Sequence, residues 1–408
     1  MQNKKSTATP TTCPKTISTT EEDIEYVFKI CRTITTTIFL WPNDSSTRTR
    51  HVIRFIAKLT VLSLITFGCV NNILQTVLVI RNLAEIMIGI GFINLGVGGA
   101  LKFLILWIRQ KDFETCIRYV KEDWENCENT IQREIMFKYA KKTYYFSFIS
   151  ATIIFGTGVI FFVIKPIAEG VTVTIMNETI RLFPSPTYGD YKVYSPFYEI
   201  LYLVQTIIIF INFSTNTAAF DIFSLFTIHA CGQFELIVFK LNTFLTDASK
   251  EQSKLNEKLN LIFKQHLRNL KFIEDLKILV NEFCFIEVVN YIFEICLLSY
   301  IIIMIADDTE LMILLSFFLT SYIFNIFVYC YVGELLTTKA ISVGESAYSS
   351  ETFFLPKSIN LDFIHLIRAA QFPSKIAAGK FFVLSMVTFN TIMRTASVYF
   401  NFLLKMTQ

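Results

Sequence analysis

The chain has 408 residues, of which 53% are hydrophobic and only 17% charged, with a formal net charge of +3. An ordinary soluble domain carries about 25% charged residues, so these totals exclude a soluble globular protein and indicate an integral membrane protein. The small net charge excludes a nucleic-acid footprint and leaves the placement of Lys and Arg as the informative quantity.

Residues 1–20 are rich in Ser and Thr, with Lys4, Lys5 and Lys15 among them and no apolar core of signal-peptide length. They read as a disordered cytosolic tail. Apolar residues return from Val27 to Leu40 as an interfacial or juxtamembrane segment, which Pro42 after Trp41 should terminate. Hydropathy then places spans near 52–78, 83–107, 144–167, 198–226, 283–305, 311–332 and 381–404, an all-α membrane protein of seven helices.

The loops between these spans alternate in charge. One side carries Arg109, Lys111, Arg118, Lys121, Arg133, Lys138, Lys141 and Lys142, then Lys240, Lys250, Lys254, Lys258, Lys264, Arg268, Lys271 and Lys277, then Lys339, Lys357, Arg368, Lys375 and Lys380. The other side holds little beyond Arg81, Arg181 and Lys192, or Asp307, Asp308 and Glu310. Because Lys and Arg accumulate in cytoplasmic loops, the N-terminus should be cytosolic and the C-terminus extracellular. That is the inverse of a seven-helix receptor coupled to G proteins. The sequon Asn177, Glu178, Thr179 and the lack of cysteine in the loop from Ile167 to Phe197 agree with this orientation.

The chain thus divides into a tail and juxtamembrane segment (1–51), four spans (52–226), a cytosolic amphipathic extension (227–282), two spans (283–332), a cytosolic anchor segment (333–379) and a last span (380–408). In the extension, Phe263, Leu267, Leu270, Phe272 and Leu276 recur at roughly helical spacing among Lys and Glu. With the anchor segment it forms either a packed layer in which subunits meet, or a helix lying on the lipid surface.

Catalytic patterns are absent. His51, His229, His266 and His365 lie far apart without metal-protease spacing, and no phosphate loop occurs, so neither an enzyme nor a cofactor or metal is expected. Gly89, Gly91, Gly96, Gly98 and Gly99 inside the second span suit close helix packing. Glu287, Asn290 and Glu294 share one helical face, as a wetted ion path or a buried hydrogen-bond network, with Arg394 a candidate partner for one carboxylate. Lys102, near the inner end of its span, should snorkel to the interface.

Two candidate sites follow. The outer halves of the second to sixth spans supply Phe92, Thr157, Phe161, Tyr202, Gln205, Phe210, Tyr300 and Phe318, an aromatic set suited to a small volatile or lipophilic ligand. The last span, Lys380 to Gln408, is apolar yet carries Asn390, Arg394 and Asn401. An arginine at the centre of a lone helix costs about 2.5–3.5 kcal/mol in lipid, so Arg394 should face protein or water. With Phe402 inward, Val398 and Met406 share its face and Thr395, Arg394 and Thr391 lie deeper, like a hydrophobic constriction above a wet vestibule. Only several copies enclose a pore, which requires an oligomer; otherwise the stripe packs within its own chain.

Blocks of residues spread over the chain resemble the insect odorant receptors. The match begins at Trp41 and Pro42 and is densest in Gln371, Pro373, Ala377, Gly379, Lys380, Phe381, Leu384, Ser385, Thr388, Phe389, Ser397, Tyr399, Phe400 and Leu403. Asp123 with Trp124, the run His229 to Gln233, His266, and Gly333 with Glu334 add to it. The resemblance implies an odorant-gated, nonselective cation channel in the plasma membrane of sensory neurons. It implies a tetramer in which this tuning subunit joins an odorant co-receptor subunit and passes monovalent and divalent cations. It also aligns Phe402 and Met406 with the apolar gate and Lys405 with a neighbouring polar position. Two residues depart from the pattern: Lys405 sets a cation beside a cation path, and Thr352 stands where the family generally has tryptophan. A gustatory receptor of the same superfamily is the alternative, but its signature is missing from the last span. A G-protein-coupled receptor is opposed by orientation, and a transporter by the lack of internal repeats.

Overall fold

Long apolar segments in lipid must satisfy every backbone polar group internally, so helix is the form they take. The computed structural model describes residues 15–42, 48–81, 83–127, 129–169, 172–175, 178–181, 183–188, 195–247, 255–304, 309–348 and 357–407. The first half comprises α1 (Lys15–Thr37), α2 (Arg48–Leu78), α3 (Leu83–Ile108), α4 (Gln110–Glu125) and α5 (Thr130–Val159), which continues through a π-helical turn (Ile160–Ile164) into α6 (Lys165–Glu169). An antiparallel hairpin of β1 (Thr172–Ile175) and β2 (Glu178–Arg181) follows, with Thr172 opposite Arg181. The second half holds α7 (Phe197–Asp247), α8 (Leu255–Met304), α9 (Thr309–Ala347) and α10 (Lys357–Gln371), then a minimal hairpin of β3 (Ala377–Ala378) and β4 (Phe382–Val383), then α11 (Met386–Thr407). The sequon at Asn177 and the departure at Thr352 lie outside the described residues.

Among the described residues, six helices are long and apolar enough to cross a membrane: α2, α3, α5 with its extension to Ile167, α7, α8 and α9. The 22-residue α11 is not among them, because Asn390, Arg394 and Asn401 dilute its apolar content. It also begins later than the expected position 381. Gly379 turns the chain at φ 63, a conformation that favours glycine, and residues 382–383 pair back on Ala377 and Ala378. Ser385 then caps the helix through its Oγ, which accepts the Thr388 N–H at 3.3 Å.

The helix α7 is the axis of the fold, packing against α1, α3, α5, α8 and α9. From Phe213 to Phe234 it is buried almost all round, whereas α2 exposes Val52, Ile53, Phe55, Ile56 and Leu59 on its outer surface. That contrast separates a core helix from one that faces lipid. Close approach comes from small residues, as expected: a Cβ built on Gly98 would meet Asn290 Nδ2 at 2.0 Å, and one on Gly99 would meet Asn212 Oδ1 at 2.0 Å.

Several expectations are corrected. Residues 227–247 continue α7 and residues 255–282 begin α8, helices of 51 and 50 residues that run on without a break into the apolar spans. Helices of that length run to about 75 Å against a hydrocarbon core of about 30 Å, so each projects well beyond its apolar part. Leu267 is exposed in α8, while Phe272 and Leu276 are buried. The helix α4 occupies what was read as a basic loop; Phe113, Cys116, Ile117, Val120 and Trp124 form its buried face. Burial also pushes the Cys116 thiol well above its usual range. The helix α5 starts at Thr130 rather than near 144, since Lys138, Lys141 and Lys142 lower the local hydropathy without breaking the helix. The helix α1 begins inside the expected tail and docks Phe28, Cys31 and Ile34 on the bundle, with Ile38 buried just after it. Edge-on ring contacts then run from Phe28 through Trp41 and Phe113 to Phe226, at 5.6, 5.8 and 5.9 Å.

Candidate ligand cavity and buried polar network

We call the end of the bundle with the α2–α3 and α8–α9 connections the upper end. Beneath it lies a cavity of about 180 Å³ between five segments. Its wall comprises Ile88, Gly91, Phe92 and Leu95 of α3, Phe161 and Phe162 of the π turn, Phe213 of α7, Glu294, Leu297, Leu298 and Ile301 of α8, and Leu311, Leu315, Phe318 and Tyr322 of α9. An apolar cavity of about 150 Å³ can hold benzene, so this one has room for a small organic molecule.

The structure divides the expected ligand set. Phe92, Phe161 and Phe318 line the cavity. Phe210 sits one layer behind, stacked on Phe155 at 6.2 Å and edge-on to Phe213 at 5.9 Å. The Tyr202 hydroxyl donates to the Phe162 carbonyl at 3.0 Å and so braces the π turn. Gln205 donates to Thr187 Oγ1 at 2.5 Å and borders, with Phe92, a separate pocket of about 20 Å³. Tyr300 is buried in a cluster with Leu297 and Ile301, and Thr157 is buried in α5. The aliphatic lining residues went unnoticed because Leu and Ile in a span look the same whether they face lipid, core or cavity.

Below the cavity a polar network crosses the apolar core. Lys102 is 2% exposed and does not reach the interface; its ammonium lies 3.1 Å from Glu287 Oε1 and also bonds Asn216. The glycines one turn earlier in α3 draw that helix so close to α7 and α8 that the lysine stem has no route outward. Glu294 is also occupied, accepting from Asn94 Nδ2 at 2.7 Å. Arg394 therefore pairs with neither carboxylate. It is exposed on α11 and makes no ion pair among the described residues.

The helix α11 packs through Phe389, Ile392, Met393 and Ala396 against α8 and α9. On its other side Thr391, Arg394, Val398 and Phe402 are exposed, Phe402 by 58%, with Thr395 half-buried beside them and Lys405 exposed one turn on. Thr391, Arg394, Val398 and Phe402 are thus not packed against their own chain. The side chain of Met406 lies outside those described.

At the lower end the motif residues converge. Asp123 bonds His229 Nε2 through one oxygen and Arg268 Nε through the other, each at 2.9 Å, tying α4 to α7 and α8. The Arg268 guanidinium also bonds Glu122 at 2.9 Å and lies 4.7 Å from the Tyr119 ring centre. A second set forms where α11 begins: a Cβ on Gly333 would lie 2.4 Å from the Leu384 carbonyl oxygen, and the Glu334 carboxylate accepts the Met386 N–H at 3.4 Å. Among the described residues no cluster of His, Cys, Asp and Glu could hold a metal ion.

Comparison with known proteins bears on this arrangement directly. The family model described as 7tm Odorant receptor matches residues 82–397, more than half of the sequence. The chain belongs to the 7tm odorant receptor family. This family is one of receptors rather than enzymes, and membership decides against the gustatory alternative. Odorant receptor 10 of Aedes albopictus is 24% identical over 211 residues, covering 51% of this chain and 56% of that protein. Odorant receptor 67c of Drosophila melanogaster is 24% identical over 172 residues, covering 42% and 41%. The match thus spans about half the length of these relatives, whereas Odorant receptor 9a of Drosophila melanogaster is 23% identical over 312 residues, 76% of its length. The insect olfactory receptor OR5 from Machilis hrabei, in complex with eugenol, superposes with a TM-score of 0.79 at 14% identity, covering 94% of this chain and 100% of that one. A second structure of the same receptor superposes with a TM-score of 0.77. Identity this low makes the likeness one of fold. The family match ends at Ser397, short of Phe402, Lys405 and Met406.

Proposed function

We propose that this odorant receptor subunit binds a small apolar ligand in the cavity between α3, α5, α7, α8 and α9, and gates a nonselective cation channel. The observation that carries the reading is the largely apolar cavity beneath the upper end of an odorant receptor fold. The subunit works as a heteromeric tetramer with an odorant co-receptor in the plasma membrane of sensory neurons. Its N-terminus is cytosolic and its C-terminus extracellular, with α11 as the seventh span. The lower halves of α7 and α8, with α10, form the cytosolic anchor layer. Around the subunit axis, Arg394, Thr395, Val398, Phe402, Lys405 and Met406 face the ion path, a reading supported by the exposure of Arg394, Val398 and Phe402.

The test is co-expression with the co-receptor and a panel of small apolar odorants. Ligand-evoked cation currents are expected from the pair and none from the subunit alone. Replacing Leu297 by Trp fills the cavity and should abolish the response while leaving surface expression intact. Phe402→Ala should raise the basal current; unchanged basal and evoked currents would remove α11 from the pore. Tags at the two termini, probed in intact cells, report the orientation, and an accessible N-terminus would defeat it.

A further inference from the structure

The cavity wall is apolar except for Glu294 and Tyr322. Glu294 Oε1 accepts the Asn94 hydrogen bond at 2.7 Å, and Oε2 has no hydrogen-bond partner among the described residues. This second oxygen faces the wall at Gly91, where a Cβ would stand 3.8 Å from it. The cation on the facing helix, Lys102, is committed to Glu287 and Asn216. The lining therefore presents one carboxylate oxygen, an acceptor, at the edge of a pocket that otherwise attracts hydrocarbon. An acceptor that opens on the cavity and has no donor from the protein is the point at which a donor on the ligand can bond.

We propose that the cavity takes small apolar molecules bearing a single amine, with the nitrogen on Glu294 Oε2 and the hydrocarbon among Phe92, Phe161, Leu297 and Phe318. This assignment rests on the cavity being the ligand site. An amine, protonated to its ammonium, donates to the free oxygen and balances its charge, a hydroxyl donates without balancing it, and a carbonyl can do neither. Selectivity thus falls in the order amine, alcohol, then carbonyl and hydrocarbon together. Gly91 belongs to the same device, because any larger residue would cover the oxygen.

The experiment measures equilibrium binding of benzylamine, benzyl alcohol, benzaldehyde and toluene to the purified full-length protein in nanodiscs. Benzylamine should bind about tenfold or more tightly than toluene, the strength expected of a hydrogen bond to a charged group. Benzyl alcohol should fall between them, and benzaldehyde should match toluene. Glu294→Gln keeps the carbonyl that Asn94 needs and should bring benzylamine down to the level of toluene, leaving toluene unchanged. Gly91→Ala sets a Cβ 3.2 Å from Leu297 Cδ2 and 3.8 Å from Glu294 Oε2 and should weaken benzylamine more than toluene without altering any charge, so the assignment is testable even where Glu294→Gln does not fold. Equal affinities for all four compounds, each abolished by Leu297→Trp, would overturn the amine assignment and leave the cavity as the ligand site. Binding of none of them, or binding insensitive to Leu297→Trp, would overturn the cavity reading and the assignment with it.

Discussion

Lys102 shows how much a single buried charge depends on its partner. Removing the ammonium would strand Glu287, which is 0% exposed, and breaking a buried pair in this way costs about 3–5 kcal/mol. Lys102→Met should therefore lower thermal stability markedly, and adding Glu287→Gln should recover much of the loss. A melting curve for each variant and the pair provides the check, and additive effects would mean that the two residues are not coupled. Hydropathy placed this lysine near the end of a span and sent it outward; Gly98 and Gly99 keep it inside. The glycines were legible in the sequence, but which helix they drew close was not. The same holds for Glu294, whose face was readable and whose partner Asn94, on another helix, was not.

Among the elements, the π turn after α5 and the hairpin before α11 were hidden for different reasons. A π turn is one extra residue inserted in an α-helix, and Ile160–Ile164 offers only apolar residues to read. Deleting Ile160 should close the turn to ordinary helix while preserving the face upstream, at a cost of about 1 kcal/mol or less. Deleting Ser150 instead should rotate all that follows by about 100° and unseat Phe161 and Phe162, costing several kcal/mol. Thermal unfolding of the two deletions separates these outcomes; equal losses would show that the turn is no insertion. The second hairpin rests on Gly333, whose missing Cβ leaves room for the Leu384 carbonyl. A backbone atom cannot step aside as a side chain can, so Gly333→Ala should cost about 1–3 kcal/mol and loosen the start of α11. Faster hydrogen exchange at Met386 and the residues after it would be the direct sign. Here the motif residues Gly333, Glu334, Gly379, Leu384 and Ser385 were visible as a pattern, and the structure supplies their common purpose as the seat of one helix.

Across the molecule, the apolar windows located six long helices correctly and misjudged where they end, because α7, α8 and α9 carry their helical geometry far past their apolar parts. Among the charged residues that marked those stretches as loops, Lys258, Lys264 and Lys271 lie on a solvated helix face. Both α8 and the described α9 run without a proline, and α8 has no glycine either. Such a helix has no hinge of the usual kind. It forms part of the cavity wall near its upper end and holds the Arg268 cluster near its lower end, on the order of 50 Å away. A tilt of roughly 5° about the cavity would then carry the far end about 4 Å sideways, nearly half the roughly 8–10 Å between the axes of packed helices. The long rod acts as a lever with mechanical gain: a displacement too small to notice beside a ligand becomes a repacking where the helix meets its neighbours. Spin labels at the lower ends of α8 and α10 should report ligand binding as a change in distance, even where the cavity itself barely moves.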